Sequence, residues 1–160
     1  MKLLETYQKF SNKKLILLPE DRIHMSGKTT LNLRKIDQRK GSKPNGLWYA
    51  FGDSWLKWVR SEMPHWERTK FFKLELDLSK ILQLKTSGDL LSFTKKYRCI
   101  TELSGNYYID WPRIANEYDG IEIDKYYYNH RFNLDWYYGW DIESGCVWNY
   151  DSIKSIKRIK

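Results

Sequence analysis

The thirteen residues Trp136-Tyr-Tyr-Gly-Trp-Asp-Ile-Glu-Ser-Gly-Cys-Val-Trp148 constrain this chain more than any other stretch. Three Trp and two Tyr stand among two Gly, Asp141, Glu143, Ser144 and Cys146. A solvent-facing strand has no use for so many large rings, and a fully buried strand would be built from Val, Ile and Leu. Two structures satisfy the composition. One is an aromatic core strand bent at Ser144-Gly145. The other is the wall of a pocket for something flat and polar, with rings for stacking and carboxylates for orientation.

The same bias runs through the chain, which has eight Trp and twelve Tyr in 160 residues. That length corresponds to a single domain over 1–160, and 41% hydrophobic residues suffice for a core. A net charge of +8 favours an anionic partner, although lysine is also a common solvated surface residue. Cys99 and Cys146 form no CxxC pair and have no His at ligand spacing, so neither a zinc site nor a disulfide framework is expected. The polar opening Met1-Lys-Leu-Leu-Glu-Thr-Tyr-Gln-Lys9 does not read as a signal peptide. The longest apolar run, Leu15 to Leu18, is too short to span a bilayer. These features predict a soluble cytoplasmic protein with no membrane partner.

The pattern predicts an opening helix with Leu4, Tyr7 and Phe10, then strands at 14–18 and 22–26. Residues 28–39 read as a loop or weak helix, and 39–45 as a basic loop. A strand over 46–51 leads into a helix that Asp53 can cap. Residues 71–77 alternate, with Phe72, Leu74 and Leu76 on one face. A short strand at 81–84 precedes a helix capped by Ser87, with Leu90, Phe93 and Tyr97 on one side. Asp110 caps the next helix, which ends at Gly120 in a left-handed cap. Strands follow at 121–124, 136–140, 146–150 and 153–157. Helices interrupt the strands without regular alternation, which predicts α+β architecture with mixed or antiparallel sheets.

Several segments, in this order, resemble ADP-ribosyltransferase-like domains of the His-containing phage and toxin type. Arg22-Ile-His-Met-Ser26 resembles their first strand, and Lys43-Pro-Asn-Gly-Leu-Trp-Tyr-Ala50 their second. Tyr118-Asp-Gly-Ile121 resembles the turn before their last strands, and Val147-Trp-Asn-Tyr-Asp-Ser-Ile-Lys-Ser-Ile156 their terminal pattern. The resemblance implies a split-sheet α+β fold and NAD as substrate, with ADP-ribose transferred to a nucleic acid or protein acceptor. It also implies a toxin or phage/defence role with a possible antitoxin-like inhibitor. That family places a catalytic Glu at the start of the penultimate strand. The matching stretch here is Trp140-Asp-Ile-Glu-Ser-Gly-Cys146, so Asp141 or Glu143 takes that role, or neither does.

Breaking the ribose–nicotinamide bond passes through an oxocarbenium-like state. It needs a group on the ribose hydroxyls, an aromatic wall for nicotinamide, and a carboxylate for the developing charge. His24 suits the first task, Trp48 or Tyr49 the second, and Asp141 or Glu143 the third. Strand alternation puts Trp48 and Tyr49 on opposite faces, so at most one would line a given pocket. It puts Asp141 and Glu143 on the same face if residues 140–144 are extended. The resemblance adds Ser26, Tyr118 and Ser144 as contacts for NAD, although Tyr118 also falls on its helix's apolar face. Glu62 shares a helix face with Trp55 and Val59, while Glu122, between Ile121 and Ile123, reads as solvent-facing.

The basic loop with Arg34, Lys35, Arg39, Lys40 and Lys43 and the tail from Lys154 to Lys160 are the best candidates for phosphate contacts, each next to a proposed pocket segment. Tyr126-Tyr-Tyr-Asn-His-Arg131 could stack on a base or pack as a loop. Two readings outside enzymology therefore stay open. One is a non-catalytic nucleic-acid-binding α+β domain, and the other is a glycan- or nucleotide-binding module built on the Trp-rich stretch.

Overall fold

The computed structural model describes residues 15–100 and 107–160. The opening helix expected around Leu4, Tyr7 and Phe10 lies outside them. Nine strands are present among the described residues: β1 Arg22–Ser26, β2 Leu47–Phe51, β3 Lys70–Leu76, β4 Ile81–Leu84, β5 Arg98–Ile100, β6 Tyr107–Ile109, β7 Gly120–Ile123, β8 Ser144–Val147 and β9 Ile153–Arg158. Seven form one sheet in the order β4-β7-β8-β2-β1-β3-β9, and β5 and β6 form a separate antiparallel ladder. Only β4 and β7 pair in parallel, so the large sheet is mixed. The helices are short: α1 Ser54–Glu62, α2 Ser87–Tyr97 and α3 Trp111–Ala115. The architecture is α+β, as the irregular strand-helix order predicts.

Two apolar clusters hold the sheet. On one face, Ile121 and Ile123 of β7 meet Leu90 and Phe93 of α2, Trp111 and Ile114 of α3, and the buried indoles of Trp136, Trp140 and Trp148. On the other, Leu47, Tyr49 and Val147 from the sheet's middle meet Leu74 and Leu76 of β3, with Ile153 and Ile156 of β9 packed alongside. Strands that are not neighbours thus touch across one face, so the sheet curls on itself.

Local chemistry explains most boundaries. The α2 cap is Thr86 rather than Ser87, in a reciprocal capping box with Asp89. Asp110 accepts from the Arg113 amide and starts α3, with Pro112 in its first turn. Asp53 makes no capping bond and pairs with Lys57 instead. Gly52, at φ 57°, makes the left-handed turn between β2 and α1. Gly120 has no positive φ and simply begins β7, so the expected left-handed helix cap is absent there.

Two strand expectations fail and one shifts, while residues 28–39 form a loop, one of the two readings of that segment. Residues 15–18 are irregular. Residues Asp135–Gly139 form a 3-10 turn rather than a strand, burying Trp136 and Tyr137. The strand expected at 146–150 is β8, Ser144–Val147, and it begins earlier because small residues there fit a crowded centre. Among the described residues no helix is long and apolar enough to cross a membrane.

Candidate functional site

The sheet splits at its centre. β1 and β2 pair only at Arg22–Phe51 and Ile23–Ala50. Beyond that point β1 stays with β3 as far as Ser26–Lys70, while β2 stays with β8 as far as Leu47–Val147. The strands part at His24, and a cavity of about 270 Å³ opens there. His24, Met25, Lys43, Trp48, Tyr49, Trp55, Trp140, Asp141 and Ser144 are among the residues lining it.

His24 bridges the split, with Nδ1 standing 2.6 Å from the main-chain oxygen of Trp48. A carbonyl only accepts, so Nδ1 carries the proton, and in the neutral ring Nε2 is left as an acceptor. Burial lowers the His24 pKa, partly offset by that hydrogen bond, and so favours the neutral imidazole. Trp48 meets Trp140 edge-on, with centroids 5.0 Å apart. The Lys43 ammonium lies 5.3 Å from the centroid of the Trp48 ring. Trp55 stacks on Trp58 at 5.0 Å and 13°, which extends the aromatic wall along α1.

Asp141 pairs with Arg131, whose Nη2 donates to it at 3.3 Å. Glu143 does not line the cavity. Residues 142 and 143 form a bend, so the extended segment on which Asp141 and Glu143 would share a face is absent. Ser144 lines the cavity and donates its hydroxyl hydrogen to the Ile142 carbonyl at 3.0 Å. Both Trp48 and Tyr49 line it, contrary to the one-face expectation, because a cavity at a strand split is reached from both sides of the sheet.

Tyr49 also belongs to a network that strand alternation does not reveal. Its hydroxyl donates to Glu122 at 2.7 Å. Arg22 grips the same carboxylate through Nε and Nη2, both at 2.8 Å, and Gln83 donates at 2.6 Å. Glu122 is only 2% exposed, which corrects its reading as solvent-facing. Burial alone would raise its pKa, but the bonds from Arg22, Tyr49 and Gln83 hold it below the usual value. Four donors around one carboxylate give the cavity's floor a rigid support.

Other candidates lie elsewhere. Ser26 accepts from the Lys28 amide and is not part of the cavity wall. Tyr118 packs on the large aromatic cluster and lines a separate depression with Leu82, Gln83 and Tyr97. Glu62 is exposed and accepts from Ser61. Arg34, Lys35, Arg39 and Lys40 are exposed, and Lys40 approaches Asp110 at 4.0 Å. Of the basic set only Lys43 reaches the cavity. Trp55, on the helix that follows β2, is a wall residue without a site role in the sequence reading. Arg131, read there as part of the Tyr126–Arg131 cluster, serves here as the partner of Asp141. Among the described residues no group of His, Cys, Asp or Glu could hold a metal ion.

Comparison with family models, with curated proteins and with solved structures gave no match.

Proposed function

We propose that this chain is an ADP-ribosyltransferase-like domain that takes NAD as substrate, with the nicotinamide end entering the cavity between β1 and β2. One observation carries the reading. Three features named from separate parts of the sequence, the first-strand His24, the second-strand Trp48-Tyr49 and Asp141 just ahead of the penultimate strand, border a single cavity. The cavity's size agrees with this. Whole-ligand pockets run from about 300 to 1,000 Å³, so about 270 Å³ suits one flat ring with its sugar rather than an entire dinucleotide.

Each group has a task. Trp48, Trp140 and Trp55 supply faces and edges for an aromatic amide. The Nε2 of neutral His24 accepts from a ribose hydroxyl. The Asp141 carboxylate faces the positive charge that grows at the anomeric carbon as the bond to nicotinamide breaks. Nicotinamide leaves with the bonding pair, the acceptor atom bonds to the anomeric carbon, and its proton passes to Asp141. Arg131 orients that carboxylate.

The test is release of nicotinamide from NAD by the wild type, with and without nucleic acid or protein acceptors, alongside quenching of indole fluorescence by nicotinamide. Turnover that depends on Asp141 supports the reading. No quenching and no consumption under any acceptor condition would refute it. The exposed Arg34, Lys35, Arg39 and Lys40 favour the second reading, a nucleic-acid-binding α+β domain without turnover.

A further inference from the structure

Three large rings stand out in water beside the cavity. Tyr128, Phe132 and Tyr138 are 60%, 68% and 54% exposed. They are contiguous: Tyr128 meets Phe132 edge-on at 6.1 Å, and Phe132 meets Tyr138 at 6.0 Å. Single exposed aromatics are ordinary, but a joined patch of three marks a binding surface.

The patch is held in shape from beneath. Tyr126 packs on buried Tyr137 at 5.4 Å, and the Tyr137 hydroxyl accepts from the Tyr127 amide at 3.0 Å. The Tyr127 hydroxyl donates to the Lys85 carbonyl at 2.6 Å, and His130 hydrogen-bonds Ser87 at the start of α2. The backbone that carries the rings is thus fixed before any ligand arrives, which lowers the ordering cost of binding.

Cations join this patch to the cavity. The Arg131 guanidinium lies 4.9 Å from the Tyr138 centroid and donates to Asp141 at 3.3 Å. Lys43 lies against Gly139, the residue after Tyr138, and the exposed Arg39 and Lys40 precede it in the same loop. Rings flanked by cations on a chain of net charge +8 match a ligand with flat bases and a polyanionic backbone. An acidic peptide would use the cations but would leave the three exposed rings unexplained.

We infer that Tyr128, Phe132 and Tyr138 seat single-stranded nucleic acid, whose bases stack on them, and that this strand is the acceptor for the neighbouring cavity. The acceptor role rests on the proposed transferase reading; the binding surface does not. A nucleophilic base or sugar atom of the seated strand bonds to the anomeric carbon as nicotinamide departs, and its proton goes to Asp141.

The experiment uses the full chain with fluorescent oligothymidylate and oligouridylate, titrated at several salt concentrations. The wild type is expected to bind, with affinity falling steeply as salt rises. Tyr128→Ala/Phe132→Ala/Tyr138→Ala is expected to weaken binding on the order of tenfold for each base unstacked. Its unfolding transition and its fluorescence response to nicotinamide should stay unchanged, since all three rings are exposed. Absence of oligonucleotide binding by the wild type, or full affinity in the triple variant, would overturn the inference. Transfer of ADP-ribose from NAD to a protein acceptor, with none to the oligonucleotides, would overturn the acceptor role. Platform-dependent binding without NAD consumption would support the surface and remove the transferase reading and the acceptor role with it.

Discussion

Tyr49 occupies the space that a side chain on Gly145 would need. The two residues face each other across β2 and β8, and a Cβ at Gly145 would come within 2.3 Å of the ring. The bare backbone lets the phenol cross β8 and reach Glu122 on β7. Gly145→Ala is therefore expected to destabilise the fold by about 1–3 kcal/mol, as overpacking does. It should also weaken nicotinamide binding, because Tyr49 is part of the cavity wall. Denaturant unfolding and fluorescence titration check both effects.

Acid should unfold this protein in two stages. His24 has its folded pKa lowered below 6.5, so the unfolded chain takes up that proton first. Its contribution is whole above that value and is lost as pH falls below it. Glu122 is held below 4.5 in the folded state, so its contribution is whole above 4.5 and is lost as pH drops through that value towards the folded pKa. His24→Asn should flatten the upper stage and leave the lower one. Glu122→Gln should shrink the lower stage, to which Asp21, Asp77 and Asp89 also contribute, and at neutral pH cost about 3 kcal/mol, because Arg22 keeps a mostly buried charge without its partner. Chemical denaturation repeated between pH 3 and 8 resolves the two.

The carboxylates near β8 should separate sharply. Asp141→Asn is expected to reduce nicotinamide release roughly 10²–10⁴-fold, the usual cost of removing one positioned charge or proton acceptor. Glu143→Gln, which alters a group outside the cavity, should leave release within a few-fold of wild type. Equal losses in the two variants would contradict the placement of Asp141.

Trp55 offers a test of the wall itself. It lines the cavity and stacks on Trp58, yet it belongs to neither apolar cluster. Trp55→Ala should cost stability only about 0.5–1.5 kcal/mol, the worth of one aromatic pair. It should nevertheless weaken nicotinamide binding and remove part of the quenching signal. Full affinity in this variant would place the ligand elsewhere.

The parts of this fold that could be read from sequence are those where one pattern acts alone. The alternation in β3 and the apolar spacing of Leu90, Phe93 and Tyr97 in α2 each reflect a single buried face. Glu122 escaped because alternation in β7 implies one buried face, whereas the curled sheet covers both. Residues 136–140 looked extended because aromatic residues favour strands. The buried set Trp136, Tyr137 and Trp140 is spaced at i, i+1 and i+4, which is the pattern of a helical turn. His24, Trp48 and Asp141 were singled out on resemblance and come to one cavity. Trp55 reaches the wall because Gly52 turns the chain back after β2, and Arg131 reaches Asp141 through the turn that buries Trp136 and Tyr137. A period of two or 3.6 records neither route.

The basic tail has a second use as a strand. Among the described residues β9 is the outermost strand on one side of the large sheet, and Lys154, Lys157 and Arg158 along it are exposed. An open strand edge is a template on which another chain can polymerise, and charges placed there oppose that. Two such edges brought together would set like charges face to face. Part of the chain's positive charge therefore guards against fibril-like self-association, and Lys154→Val with Lys157→Val would expose an aggregation-prone rim without touching the cavity.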